Sequence, residues 1–439
     1  MKRFRRLCML TVIGALLVSV LASGCSGISS SGDKGEELAQ PFQGKTITLV
    51  TANHPWADAI RPLLPEFEAA TGMNVIVQGF FEDQLTQKLT LQLTTGSETP
   101  DVFMYRPPQE GKLFYENGWL EPLDDYARKD AEYAYTDFSD AAIRSATVDG
   151  KLAGIPVITE QEILYYRKDL LQKAGIPVPD TIEELVSAVR KLHDPGNGVY
   201  GFVARGQRSP LVTQVSSFLY SEGGDFTNGQ KATINTPEAM RAFSIYGSLL
   251  RDYGPPGVIN MSWPQASAFF AEGKAAFYTD ANSIYKSASD PARSNVAEHI
   301  GFASFPAGRS GSRTYNITSW GLAMNPRAVD KEAAWAFIRW ATSKEIVLQT
   351  QRKGNPGARY SIWNMQGGTE GFPKEMVEVI KQYGVGGVDH DRPTVVNVAE
   401  ARETVGEIVQ RVMTGAPDLQ QAADKANAAL QAILDKEAE

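Results

Sequence analysis

The chain has 439 residues, 43 Lys and Arg against 51 Asp and Glu, and a net charge of −8. That length is enough for two domains, and the acid excess leaves no electrostatic footprint for nucleic acid and no long-range pull on anions, so a neutral ligand is expected. The two cysteines, Cys8 and Cys25, both fall near the start, so the body beyond them has neither disulfides nor Cys-metal sites.

Residues 1–24 read as a secretory signal. A basic start, Lys2-Arg3-Phe4-Arg5-Arg6, precedes an apolar run from Leu7 to Val20 and the small-residue end Leu21-Ala22-Ser23-Gly24. The run is short for a membrane span, which needs about 20 apolar residues. Leu21-Ala22-Ser23-Gly24-Cys25 resembles the lipobox of bacterial lipoproteins. That resemblance implies a diacylglyceryl group on Cys25, cleavage before it, and a body held to the outer face of a membrane. Removing the signal's four cations from −8 leaves −12. The Ser- and Gly-rich stretch Ser26 to Gly35 is a flexible tether.

The body opens with a strand, Thr46 to Val50. Trp56, Ile60, Leu63, Phe67 and Ala70 then recur at helical spacing and predict one helix that stops at Gly72. Val75 to Val77 is a strand, Leu85 to Leu93 a helix and Asp101 to Met104 a third strand. This alternation predicts a parallel sheet with helices on its faces. The Gly- and Pro-punctuated stretch Gly150 to Pro156, followed by Ile163 to Asp169, reads as a crossing between two lobes.

Thr181 with Glu184 forms a capping box, and Thr236-Pro237 and Trp263-Pro264 start further helices. Gly273 to Tyr278, His299 to Pro306 and Ile317 to Met324 are strands. Asp330 caps a helix, Glu332 to Ala341, that is apolar nearly all round and so should be buried. Two helical stretches end the chain; in the last, Leu419, Ala423, Ala426, Leu430 and Ile433 share a face. The chain returns to its first block after about Asp280, which divides it into residues 44–155 plus 285–326 and residues 156–284 plus 327–439.

Enzyme signatures are absent. Gly44-Lys45-Thr46 could end a phosphate loop, but Ala39 stands where that loop needs Gly. There is no Gly-x-Ser-x-Gly elbow and no His-Glu-x-x-His pair. Asp389-His390-Asp391 reads as a solvated loop and not as a metal site. No catalytic residue, metal or cofactor is expected.

A set of ordered segments carries a family resemblance: Phe67 to Val75, Gly118 to Leu123, Tyr165 to Gly175, Gly223-Gly224-Asp225-Phe226, Trp263 with Ala268 to Ala276, Ser319-Trp320-Gly321-Leu322 and Asn355 to Arg359. Together they resemble the family 1 extracellular solute-binding proteins of ABC importers, over most of residues 45–365, and within that family the sugar and polyol binders. The resemblance implies an α/β, two-lobed periplasmic-binding-protein-like fold of type II, each lobe a mixed sheet flanked by helices, with a multi-strand hinge. It implies a monomer that binds a sugar, oligosaccharide or polyol between the lobes and delivers it to the membrane subunits of a permease.

Sugar C–H faces pack on aromatic rings and hydroxyls need directed partners. Trp263 and Trp320, both expected at loop edges, are the aromatic candidates. The loops that the resemblance turns toward the cleft contribute Asn53, His54, Gln84, Glu160, Gln161, Arg205, Asp280, Asn282 and Arg359. Two other readings use the same features: a secreted enzyme acting on a glycan, told apart by whether the sugar returns unchanged, and a sugar sensor that docks on a signalling receptor, told apart by its gene neighbours.

Overall fold

The computed structural model describes residues 40–383 and 387–438. The signal, Cys25 and the tether lie outside the described residues. Eight strands make the main sheet: β1 (Thr46–Ala52), β2 (Asn74–Phe80), β3 (Val102–Tyr105), β4 (Ile155–Arg167), β5 (Tyr200–Val203), β6 (Ala275–Ala281), β7 (Ile300–Ser304) and β8 (Asn316–Met324). Their order is β2-β1-β3-β8-β4-β6-β5, with β7 also paired to β4.

The parallel expectation holds where strands and helices alternate, since β1 runs parallel to β2 and to β3. The centre is antiparallel. Residues 155–161 of β4 pair with β8, and residues 162–167 lie between β6 and β7. β4 and β8 run in opposite directions because one carries the chain from the first apolar core to the second and the other brings it back.

The helix expected over Trp56 to Ala70 is broken into Pro55–Ile60, a 3₁₀ turn Arg61–Leu63, and Leu64–Thr71. Pro62 and Pro65 lack the N–H that a continuous helix needs. The tighter turn also rotates the apolar face. Trp56, Ile60 and Phe67 are buried as expected, but Leu64 is buried in place of Leu63, which is half-buried, and Ala70 is exposed. Gly72 ends this segment at φ 76°, and a side chain there would meet the backbone of Gln43.

Other local signals are realised as hydrogen bonds. Thr181 Oγ1 accepts from Glu184 N at 3.1 Å while Glu184 Oε2 accepts from Thr181 N at 3.1 Å. Asp330 Oδ1 accepts from Ala333 N at 2.9 Å and starts the helix Lys331–Ala341. Such caps contribute about 1 kcal/mol each.

Buried residues fall into a first core and two adjoining clusters of a second. The first takes Leu49, Phe103, Ile158, Leu322 and Phe337; the second begins at Ile163 and Leu164 and includes Phe218, Phe277, Ile317, Trp363 and Ile408. Among the described residues the chain passes between them three times, near residues 158–163, 317–320 and 358–363.

This corrects the expected division at two places. Residues 285–317 pack with the second core: Tyr285, Phe302 and Phe305 are buried there. Residues 327–358 pack with the first, because Ala333, Trp335 and Phe337 of the buried helix face it and Phe337 meets Phe67 edge-on at 5.6 Å.

Candidate functional site

A cleft of about 650 Å³ opens between the two cores, with residues from both on its walls. Its apolar side is built by β8. The register with β4 slips around Ser319 and Trp320, and a bulge of this kind re-aims a side chain. Trp320 therefore sits inside a strand, and not at the expected loop edge, yet its ring reaches the cleft while staying 5% exposed.

The His54 ring stands 5.7 Å from it. His54 caps the helix Pro55–Ile60, its Nδ1 accepting from Trp56 N at 3.1 Å. Burial lowers its pKa to about 4, so at neutral pH the ring is uncharged and carries its proton on Nε2. The Arg106 guanidinium lies 5.8 Å from the Trp320 ring centroid. Trp263, half-buried, is the first residue of the helix Trp263–Ala271 and also lines the cleft.

The polar side is built from paired charges. Arg205 Nε donates to Asp280 Oδ2 at 3.0 Å, and a second guanidinium nitrogen reaches Asp280 Oδ1. Asp280 is fully buried and also accepts from Gln214 Nε2 (3.0 Å), Tyr278 OH (2.8 Å) and Ala281 N (2.8 Å). Burial disfavours the Arg205 cation, but Asp280 more than offsets this and holds it charged.

Arg392 forms a second pair with the fully buried Asp391, its Nε 2.7 Å from Oδ1, while Thr213 Oγ1 donates to Oδ2 at 2.7 Å. Burial would raise the Asp391 pKa; Arg392 and Arg402 pull it down to about 2. Glu160 accepts from Ser283 Oγ, and burial raises its pKa to about 7. Its carboxyl is thus divided between protonated and ionised forms near neutral pH.

This combination of aromatic faces with fixed donors and acceptors suits a small polyhydroxylated molecule. The profile of the bacterial extracellular solute-binding proteins matches residues 53–347. The chain belongs to that family. The family works outside the cytoplasm and is named for binding, not for catalysis. Among the described residues no helix is long and apolar enough to cross a membrane.

A mannitol-binding protein of Pseudomonas aeruginosa is 29% identical over 90% of this chain and 94% of its own. An erythritol/L-threitol-binding protein of Mycolicibacterium smegmatis is 26% identical over 81% and 80%. A solute-binding protein of Agrobacterium radiobacter K84, solved with ribitol, is 31% identical over 89% of this chain and 99% of its own, with a TM-score of 0.79. The two-lobed α/β periplasmic-binding fold expected from the sequence is thereby the fold of this solute-binding protein.

Of the residues singled out in the sequence, Asn53, His54, Glu160, Arg205, Trp263 and Trp320 meet at the cleft. Five do not. Gln84 is exposed on the helix Glu82–Thr94. Asp280 lies behind Arg205 and reaches the cleft only through it. Gln161 and Asn282 are buried at the first crossing, where Asn282 Oδ1 accepts from Gln161 N at 3.2 Å beside a separate cavity of about 70 Å³. Arg359 is fully buried at the third crossing. It donates to Thr342 O (2.6 Å), Tyr133 O (2.8 Å) and Ala134 O (3.1 Å) and lies over the rings of Tyr133 and Phe138.

The expected solvated loop at Asp389-His390-Asp391 is instead structured. His390 bonds Asp389 and Asp225, and Asp391 forms part of the cleft wall. Sequence reasoning also missed Arg106, Thr213, Arg392 and Arg402, all of which line the cleft. The one signal available was the acid next to a base in Asp391-Arg392.

Proposed function

We propose that this solute-binding protein captures an open-chain polyol or a closely related sugar in the cleft and passes it, unchanged, to the membrane subunits of an ABC importer. What carries the reading is a single arrangement: the Trp320 and Trp263 rings and the Arg205–Asp280 and Arg392–Asp391 pairs share the walls of one cleft. Rings take C–H faces, and buried charged groups held in place give hydroxyls directed partners. All three relatives named above are described with an open-chain polyol.

We assign ligand contact to Asn53, His54, Glu160, Arg205, Trp263 and Trp320, joined by Arg392. The protein acts as a monomer whose two cores are the lobes, and Cys25 anchors it by lipid to the outer face of the cytoplasmic membrane. Two acyl chains at about 0.8 kcal/mol per buried methylene hold such an anchor stably.

Thermal unfolding with ribitol, mannitol, erythritol and maltose tests the ligand class. A ligand at 100 times its Kd adds about 2.7 kcal/mol; no shift with any polyol overturns the reading. Cys25→Ser should release the protein from the membrane fraction, and retention after a salt wash would sink the anchor.

A further inference from the structure

Among the described residues five guanidinium groups line the cleft: Arg106, Arg205, Arg293, Arg392 and Arg402. Four have a carboxylate of their own. Arg106 pairs with Glu110 and Glu82, Arg205 with Asp280, Arg293 with Asp290, and Arg392 with Asp391. Arg402 differs. Its Nε donates to Ser209 O (2.9 Å), one terminal nitrogen to Gln109 Oε1 (3.1 Å) and the other to Thr213 Oγ1 (3.2 Å). All three acceptors are neutral, and among the described residues no carboxylate forms an ion pair with it.

The Asp391 carboxylate takes its bonds from Arg392 and Thr213, so it reaches Arg402 only as a field. Burial, with Arg392 beside it, pushes the Arg402 pKa well down. The charged form thus lacks a directly bonded counter-ion on the wall of the cleft, where Arg402 is half-buried.

The bond count says what is missing. A guanidinium has five N–H groups; Arg402 uses three, which leaves one on each terminal nitrogen. A carboxylate offers two oxygens to such a pair. The charge count agrees. Asp391, Arg392 and Arg402 together carry one excess positive charge, which a monoanion neutralises and a phosphate dianion would exceed. The acidity of the whole chain does not oppose this, because exposed charges are screened over about 8–10 Å at ordinary salt.

We propose that Arg402 receives the carboxylate of an open-chain sugar acid, so that the cleft prefers an aldonate to the alditol of the same length. The proposal rests on the polyol reading and extends it: the hydroxylated chain lies against the same rings and ion pairs, and only its end differs.

Calorimetric titration of the purified protein compares ribonate with ribitol and mannonate with mannitol, each acid supplied as its open-chain salt. The aldonate should bind roughly tenfold or more tightly than its alditol, and the ratio should shrink with added salt. In Arg402→Gln the ratio should fall to about one. Should that variant fail to fold, the wild-type ratio still decides. Alditols binding as well as or better than aldonates overturns the proposal and leaves the polyol reading standing. Neither class binding overturns both.

Discussion

Asp280 holds Arg205 through both carboxylate oxygens, and of the two only Arg205 meets the cleft. The group on the cleft wall and the group that orients it are thus separated, with Gln214, Tyr278 and the Ala281 amide fixing the acid in turn. Asp280→Asn would leave a buried cation without its partner. It should destabilise the fold by about 3–5 kcal/mol, read as a lower urea midpoint, and weaken binding. Replacing both members, Arg205→Met with Asp280→Leu, should recover much of the stability, since an apolar pair of similar volume costs little. Binding should stay weak. Full binding in the double variant would show that Arg205 plays no part in recognition.

The two tryptophans should separate by the same pair of measurements. Trp320 is 5% exposed and belongs to the first core as well as to the cleft. Trp320→Ala should cost about 3–5 kcal/mol and also weaken binding. Trp263 is half-buried at the start of its helix. Its truncation should weaken binding with a much smaller loss of stability. Unchanged affinity in Trp263→Ala would remove that ring from the site.

Glu160 gives the cleft a pH dependence with a definite sign. Burial raises its pKa from 4.5 to about 7 in the folded protein, so folding takes up a proton between those values. Its contribution to stability is complete below about pH 4.5 and lost as pH rises through 7. His54 acts oppositely: lowered from 6.5 to about 4, it contributes fully above pH 6.5 and loses this as pH falls through 4. Where the windows overlap the two contributions oppose each other. Glu160→Gln removes one of the two, so stability of the variant relative to wild type should rise from pH 4.5 to 7 and then level off. A parallel pair of pH curves would mean that Glu160 titrates normally.

How much of this was legible in the sequence depended on range. Local signals survived: the capping box at Thr181, the Asp330 cap and the Gly72 stop need only neighbours a few residues away. The fold class followed because motifs in fixed order carried it. One failure was local: Pro62 and Pro65, inside the helix expected over Trp56 to Ala70, broke it and turned its apolar face. The other was set by a distant contact: the buried helix Lys331–Ala341 joined the first core because Phe67 was there to meet Phe337.

Arg359 illustrates the limit at the site. An arginine at the end of a late loop has the chemistry of a ligand contact, but three backbone carbonyls and two rings claim it. Arg402, on the helix Val398–Met413, has no local feature that points to a cleft.

The last expectation concerns motion. Among the described residues three chain crossings join the cores, and away from them several polar ties bridge the two sides. Lys112 Nζ meets Glu437 Oε2 at 2.6 Å, Arg144 Nε meets Asp389 Oδ2 at 2.9 Å, and Gln109 Oε1 accepts from both Arg392 and Arg402. Lys112, Gln109 and Arg144 come from segments on the first core; Glu437, Asp389 and the two arginines belong to the second. These ties exist only when the lobes are together, so opening must break them. Hinge closure is the motion that periplasmic binding proteins of this kind use.

Ligand is expected to favour the closed form, in which the Trp320 and Arg205 sides of the cleft come together. Removing a tie that touches no ligand should therefore lower affinity, since apparent Kd rises as the closed fraction falls. Lys112→Ala should weaken ribitol binding by a few-fold, with the unfolding midpoint little changed, as a partly exposed pair contributes about 0–1 kcal/mol. Small-angle scattering should show a smaller radius of gyration with saturating ribitol than without, and a larger unliganded radius in Lys112→Ala. A radius unmoved by ligand, together with wild-type affinity in Lys112→Ala, would mean a rigid, preformed pocket in place of a closing one.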